Sequence, residues 1–326
     1  MSIALRRSLL ALCAGAALGP LLLATAHAAD YPNRPVKWVV PYPPAGTTDV
    51  LARIVAQWLT ERTGQPFVVE NKAGAGNNIG TESVVTAPPD GYTMLLVNPA
   101  NGINATLYKN LNFNVLRDIA PVAGIVRTPN VMVVTANFPA RNVAEFIAYC
   151  KANPGKVNMA SSGSGTSVHL SGELFKSMTG CDMVHVPYKG AGPALTDLIG
   201  GPVQVMFDNL PSSAGHIKSG RLRALAVTSA EREPSLPQVP TVAETVPGYE
   251  ATAWFGVGMP KNTPREAVER VNAEVNRALA DPKMREKLAE LGGKPIAGTP
   301  EDFGRTMAAE TAKWEKVVIA SGAKVE

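Results

Sequence analysis

Short apolar strands alternate with amphipathic helical stretches along most of this chain, and that alternation restricts its fold more than any other feature. Residues 36–40, 67–70 and 93–98 read as strands, separated by helices over 48–63 and 81–87. In the first helix Val50, Leu51, Ile54, Val55, Trp58 and Leu59 share one face. Thr47 or Thr48 is expected to cap it and Gly64 to end it. A second set begins near Asn130, with strands at 131–135, 157–160, 183–186, 203–207 and 222–228 and helices at 142–152, 167–179 and 193–199. A proline-rich, irregular stretch (234–247) leads to a third set, a strand at 253–259 and helices at 264–280, 281–291 and 301–321. Thr263 is expected to cap the first of these helices, with Pro264 at its first position. The order implies an α/β fold with largely parallel sheet.

The N-terminus reads differently. Arg6 and Arg7 precede an apolar or small stretch over 9–26, and Ala26-His27-Ala28 gives a small-x-small cleavage pattern. Residues 1–28 are therefore expected to be a secretory signal peptide, cut after Ala28 or Ala29. Gly15, Gly19 and Pro20 interrupt the apolar run, against a membrane anchor, and Leu12 before Cys13 argues against a lipoprotein. Loss of Arg6 and Arg7 lowers the formal charge from +4 to +2. With the remaining basic residues scattered, nothing points to nucleic acid. Cys150 and Cys181 would then sit in an oxidising compartment, where a disulfide and two unpaired buried thiols are both open readings.

Two strand-to-helix junctions are rich in small residues: PYPPAGTTD at 41–49 and SSGSGTSVHL at 161–170. A helix N-terminus offers unpaired N–H groups and a partial positive charge, and glycine lets a ligand come close. The second loop has no acid before Glu173 and is expected to hold a carboxylate or phosphate directly. The first ends in Asp49, which is expected to accept from its own helix's N–H groups, leaving that wall to bind a carboxylate through water. Taken singly, each loop reads as an ordinary capped turn. NKAGAGNNIG at 71–80 spaces its glycines one residue too widely for a dinucleotide fingerprint and reads as a structural loop lining a cleft. Ser162 and His169 raise a hydrolase, but no G-x-S-x-G surrounds them. The histidines show no metal-site spacing, so neither metal nor cofactor is expected. Tyr188 and Lys189 offer a donor and a counter-charge, or simply a solvated turn. Asp208 ends an apolar strand, where an acid can face a cleft.

From about Tyr31 onward the chain resembles the periplasmic solute receptors of tripartite tricarboxylate transporters, the Bug-type proteins. The likeness rests on 41–49, ENKAGAGNNIGTE (70–82), PDGYTMLL (89–96), the long stretch 152–176, HVPYKGAGPALTDLIGG (185–201) and VMFDNLPSS (205–213), in that order. It implies a two-lobed α/β binding protein of the periplasmic type II class. Lobe 1 would join 29–128 to 250–326 and lobe 2 would span 129–249, with hinge crossings near 126–134 and 251–259. It further implies a ligand wall of Tyr42, Ala45, Gly46, Thr48 and Asp49 facing one of Ser162, Gly163, Thr166, Ser167 and His169, with Asn98, Asn101 and Asp208 added. Ala45 stands where the family often has glycine, so its methyl is expected to set the fit.

The function so implied is non-enzymatic: a monomeric periplasmic receptor that closes on a small organic acid and delivers it to membrane permease subunits. Dicarboxylates, aromatic acids, amino acids and amides all suit the loops. The alternatives are a ligand sensor for a two-component system and, further off, an exported hydrolase using Ser162 and His169.

Overall fold

The computed structural model describes residues 31–323; the leader expected at 1–28 lies outside them. The first half opens with β1 (Val36–Val40), α1 (Thr47–Thr63), β2 (Phe67–Asn71), α2 (Asn78–Val85), β3 (Thr93–Val97), α3 (Pro99–Leu107) and α4 (Val115–Asp118). A long strand, β4 (Ile119–Thr135), follows. Then come α5 (Val143–Ala152), β5 (Val157–Ser161), α6 (Ser167–Thr179), β6 (Met183–Pro187), α7 (Ala191–Gly200), β7 (Val205–Asn209), α8 (Leu210–Lys218) and β8 (Leu222–Val227). The chain ends with β9 (Thr252–Pro260), α9 (Arg265–Ala280), α10 (Pro282–Glu290), β10 (Lys294–Pro295) and α11 (Pro300–Ser321).

The strands run in the order β2-β1-β3-β9-β4-β7-β5-β6. β1, β2 and β3 are parallel, as are β5, β6 and β7. β4 belongs to both groups. Its residues from Ile119 to Pro129 pair antiparallel with β9, and those from Asn130 to Val134 pair with β7. Because β9 also pairs with β3, the C-terminal set returns to the first one. The switch along β4 is pinned by Asn130 and Thr228. The Asn130 carbonyl accepts from the Thr228 N–H at 2.9 Å, and the Thr228 carbonyl accepts from the Ala251 N–H at 2.9 Å. The Asn130 amide donates to the Phe207 carbonyl and the Ser171 hydroxyl. Two passages of chain are thus stitched together where they cross.

Helices cover these sheets through apolar faces. Val39, Leu95, Val97, Trp254 and Phe303 form one buried cluster, and Phe146, Phe175, Phe207 and Tyr249 anchor another. Trp314 and Val318 of α11 pack into that second cluster, so the C-terminal helix spans from the first set of elements to the second. Each large side chain so buried contributes about 1.5–3 kcal/mol.

Several details depart from the sequence expectations. Gly46 is the N-cap of α1, with no side-chain cap; Thr47 and Thr48 are its first helical residues. Gly64 does end α1, at φ 72° with its N–H on the Thr60 carbonyl. Thr263 does not cap α9: its hydroxyl donates to the Pro260 carbonyl at 2.7 Å, and Pro264 is the N-cap. The helices α3, α4 and α8 and the first two-thirds of β4 were not anticipated. α3 and α8 flank the site described next.

Candidate functional site

The starts of five helices meet at a cavity of about 30 Å³. Gly46, Thr47 and Thr48 come from α1, Asn98 and Pro99 from the start of α3, and Thr166, Ser167 and Val168 from the start of α6. Ala191 opens α7, Asn209 precedes α8, and Tyr42, Ser162 and Phe255 complete the lining. No charged side chain lines this cavity. Its donors are backbone N–H groups at positive helix ends and neutral hydroxyls and amides. Tyr42 and Ser162 also border a larger cavity of about 240 Å³, lined by Gly74–Asn77, Tyr108, Gly163, Ser164 and the Pro187–Lys189 turn.

The walls touch across this space. A Cβ on Gly190 would lie 2.7 Å from Pro43 Cδ, so only glycine admits this approach. The Thr47 hydroxyl donates to Ser212 Oγ at 3.1 Å, and Ser212 Oγ donates to Asp208 Oδ2 at 2.5 Å. A chain of hydroxyls therefore links α1 to an acid on the opposite wall.

Of the residues singled out from sequence, Tyr42, Gly46, Thr48, Asn98, Ser162, Thr166 and Ser167 line the smaller cavity, and Gly163 lines the larger. The remaining five lie behind or beside it. Asp49 turns away from the ligand space. It accepts from the Ala45 N–H at 3.1 Å and the Asn71 amide at 2.9 Å, and pairs with Arg53 at 2.9 Å. Burial works to raise its carboxyl, but the bonds from Arg53, Asn71 and Ala45 outweigh burial and hold it below the ordinary range. It therefore accepts from the loop before the helix rather than from the helix's own N–H groups. Asn101 braces Asn98: its Oδ1 accepts the Asn98 N–H at 2.9 Å, closing a capping box. Ala45 has φ 68°, a left-handed conformation that explains why glycine suits this position. Ala45 lines neither cavity, and a Cβ built on Gly192 of α7 would lie 4.0 Å from its methyl, so Ala45 sits where the two walls meet.

His169 is buried and stacks on His185 with ring centroids 3.9 Å apart. Its Nδ1 accepts the Gly165 N–H at 3.3 Å, which supports the loop from behind. Burial, then His185 and Lys176, push it down to about 3; burial and Lys176 push His185 down to about 4. Both rings are neutral at ordinary pH. The serine that meets a histidine is Ser161, 2.6 Å from His185 Nε2, and Ser161 is fully buried. Ser162 and His169 are not hydrogen-bonded, so the hydrolase pair does not assemble. Asp208 is fully buried beside Ser212 and Ser213 with no cation near it; burial pushes it up to about 6 despite those hydroxyls and the Asn209 N–H. Tyr188 is engaged too, donating to Asp197 at 2.6 Å.

Thr47, Asn209, Ala191, Tyr108 and Ser212 were missed. A signal existed for one of them. Asn209-Leu210-Pro211 places a capping residue just before a proline in a first turn, which marks a helix start.

Residues 51–323 match the tripartite tricarboxylate transporter family receptor profile. The chain belongs to this receptor family. It is 39% identical over 308 residues to protein BugT of Bordetella pertussis, covering 94% of each chain. The receptor superposes on Rpa4515 of R. palustris, solved with adipate, with TM-score 0.89 and 42% identity, over 91% of this chain and 100% of that one. It matches MatC (Rpa3494) of Rhodopseudomonas palustris, solved with bound malate, with TM-score 0.84 and 31% identity, over 88% of this chain and 100% of that one. The fold is accordingly the two-lobed α/β architecture of periplasmic binding proteins, and the cavity lies where β4 passes between the two sets of strands.

Proposed function

We propose that this receptor captures a small organic carboxylate between its lobes in the periplasm and passes it to the permease subunits of a tripartite tricarboxylate-type transporter. The observation that carries the reading is the convergence of five helix starts on a cavity without a charged side chain. A carboxylate there finds partial positive charge and N–H donors from both walls, and no fixed cation whose desolvation must be offset. The adipate and malate bound to the two related receptors belong to the same chemical class. Residues 29–128 with 250–326 would move as one lobe and 129–249 as the other, about the crossings at Asn130 and Thr228. Closure brings Pro43 onto Gly190 and joins Thr47 to Ser212.

The two cavities divide the ligand. One carboxylate fills the smaller space, and the rest of the molecule runs between Tyr42 and Ser162 into the larger one, where Tyr108 and the exposed Lys189 face it. The reading is tested by calorimetry with the mature protein against a panel of mono- and dicarboxylates, amino acids and their amides. Saturable binding of an acid with at least tenfold weaker binding of its amide is expected. Binding of the amide as tightly as the acid, or of no acid at all, overturns it.

A further inference from the structure

Cys150 and Cys181 have no part in the ligand site, yet they are brought together by everything around them. Cys150 sits on the last turn of α5 and Cys181 just after α6. The parallel register sets Val157 opposite Met183, and the Gly155 N–H donates to the Asp182 carbonyl at 3.2 Å, which draws the two segments together. The thiols are 0% and 3% exposed, lie in one apolar cluster, and hydrogen-bond to each other. Both are reduced in this structure.

We propose that Cys150 and Cys181 are joined by an intrachain disulfide in the exported protein. The inference rests on the periplasmic placement above but not on the ligand. The oxidant is a protein disulfide of the thiol-oxidase class. One cysteine thiolate attacks that disulfide to give a mixed disulfide and releases one oxidase thiol. The other cysteine then attacks the mixed bond, closing the S–S link and releasing the second. Two thiol protons and two electrons leave the receptor, and the oxidase disulfide becomes a dithiol. Because both sulfurs are buried in the folded chain, the exchange takes place while the exported chain is still unfolded. The ring encloses residues 151–180, which contain β5, the 161–167 loop and all of α6. The link therefore braces the loop and helix that carry Ser162, Thr166 and Ser167 of the ligand site.

The test uses wild-type protein recovered from the periplasm of an exporting host, denatured and alkylated without reductant. No alkylation is expected, and a non-reduced tryptic digest should join peptide 142–151 to peptide 177–189. Reductant should then lower the melting temperature by roughly 5–10 °C, a shift absent in Cys150→Ala/Cys181→Ala. Alkylation of both cysteines without reductant overturns the proposal, as does a bond linking two chains. Neither result touches the calorimetric outcome for carboxylates, so the two readings fail separately.

Discussion

The two walls of the cleft are built from the same parts, and they use them in opposite ways. Each has a strand, a loop of small residues, a helix start and a buried acid. On the first wall Asp49 is matched by Arg53, Asn71 and the Ala45 N–H, so it stays charged and is occupied by partners within its own wall. The helix behind it has a glycine N-cap and no side-chain cap, which leaves its first N–H groups to whatever enters the cavity. On the second wall Thr166 caps α6, accepting the His169 N–H at 3.1 Å and donating to the Gly163 carbonyl at 2.8 Å. Its hydroxyl is therefore engaged on both sides. Ser167 accepts from the Asn209 amide at 3.1 Å and keeps its proton for a ligand. The acid of this wall, Asp208, has only hydroxyls and a backbone N–H beside it. An acid in a binding loop thus need not oppose an anionic ligand. The wall that carries the charged acid also leaves more of its helix start unoccupied.

The contrast between the acids gives the largest expected effect. Asp208 has its folded value raised to about 6 from an ordinary 3.8. Its contribution to stability is complete below the unfolded value and is lost as pH rises through the folded one. A shift of that size is worth about 3 kcal/mol. The buried neutral histidines His169 and His185 act in the opposite sense over the same range in both proteins, so urea melts at pH 4 to 7 should show the Asp208 loss as a difference in slope between the wild type and Asp208→Asn. An unchanged slope in the variant removes the distinction between the two acids. Asp49, held below its ordinary range, works in the other direction: what it adds is present above the unfolded value and is lost as acid is added.

Next in size come the ligand donors. Thr48→Val and Ser167→Ala each remove a hydroxyl facing the smaller cavity, and each should weaken a bound carboxylate by about 10–100-fold, the worth of a hydrogen bond to a charged group. Comparable losses by calorimetry mean that both walls grip the ligand directly. A loss confined to Ser167→Ala would restore the expectation of a water-lined first wall.

Much of this was legible in the sequence because it is local. Strand and helix alternation, the two loops of small residues before α1 and α6, and Gly64 follow from periodicity and from residues whose conformational limits are strong. The returns were implied by the family resemblance but could not be read from periodicity. Nothing in the run from Thr252 to Pro260 says that it pairs with β3, because a fully buried strand carries no alternation to mark its neighbours. Nor could spacing show that Asp49 bonds to Asn71, twenty-two positions on, or that Ser212 reaches Thr47. The first two-thirds of β4 was missed: Pro121, Gly124 and Pro129 interrupt its apolar run, and the first two lie at irregularities in its pairing. His169 was singled out as a wall residue, but the structure sets it behind the loop, in a stack with His185, a residue sixteen positions later on the neighbouring strand.

Smaller effects separate a cap from a contact. Thr166→Ala should cost about 1 kcal/mol of stability, typical of a lost N-cap, with weaker consequences for affinity than Ser167→Ala. If thermal melts of Thr166→Ala match the wild type while its affinity falls more than that of Ser167→Ala, Thr166 is a ligand donor and the second wall grips with both hydroxyls.

The smallest effect is expected at Ala45, where the first wall departs from glycine. At φ 68° an alanine pays for its Cβ, and Ala45→Gly relieves that strain while giving the unfolded chain more freedom. The two nearly offset each other, so stability should change by no more than about 1 kcal/mol. Because Ala45 lines neither cavity, affinity should stay within about twofold across acids of different length. A change in length preference on Ala45→Gly would return Ala45 to the ligand wall. A change in closure, read by scattering without a change in preference, places it where the structure does, between the first wall and the start of α7.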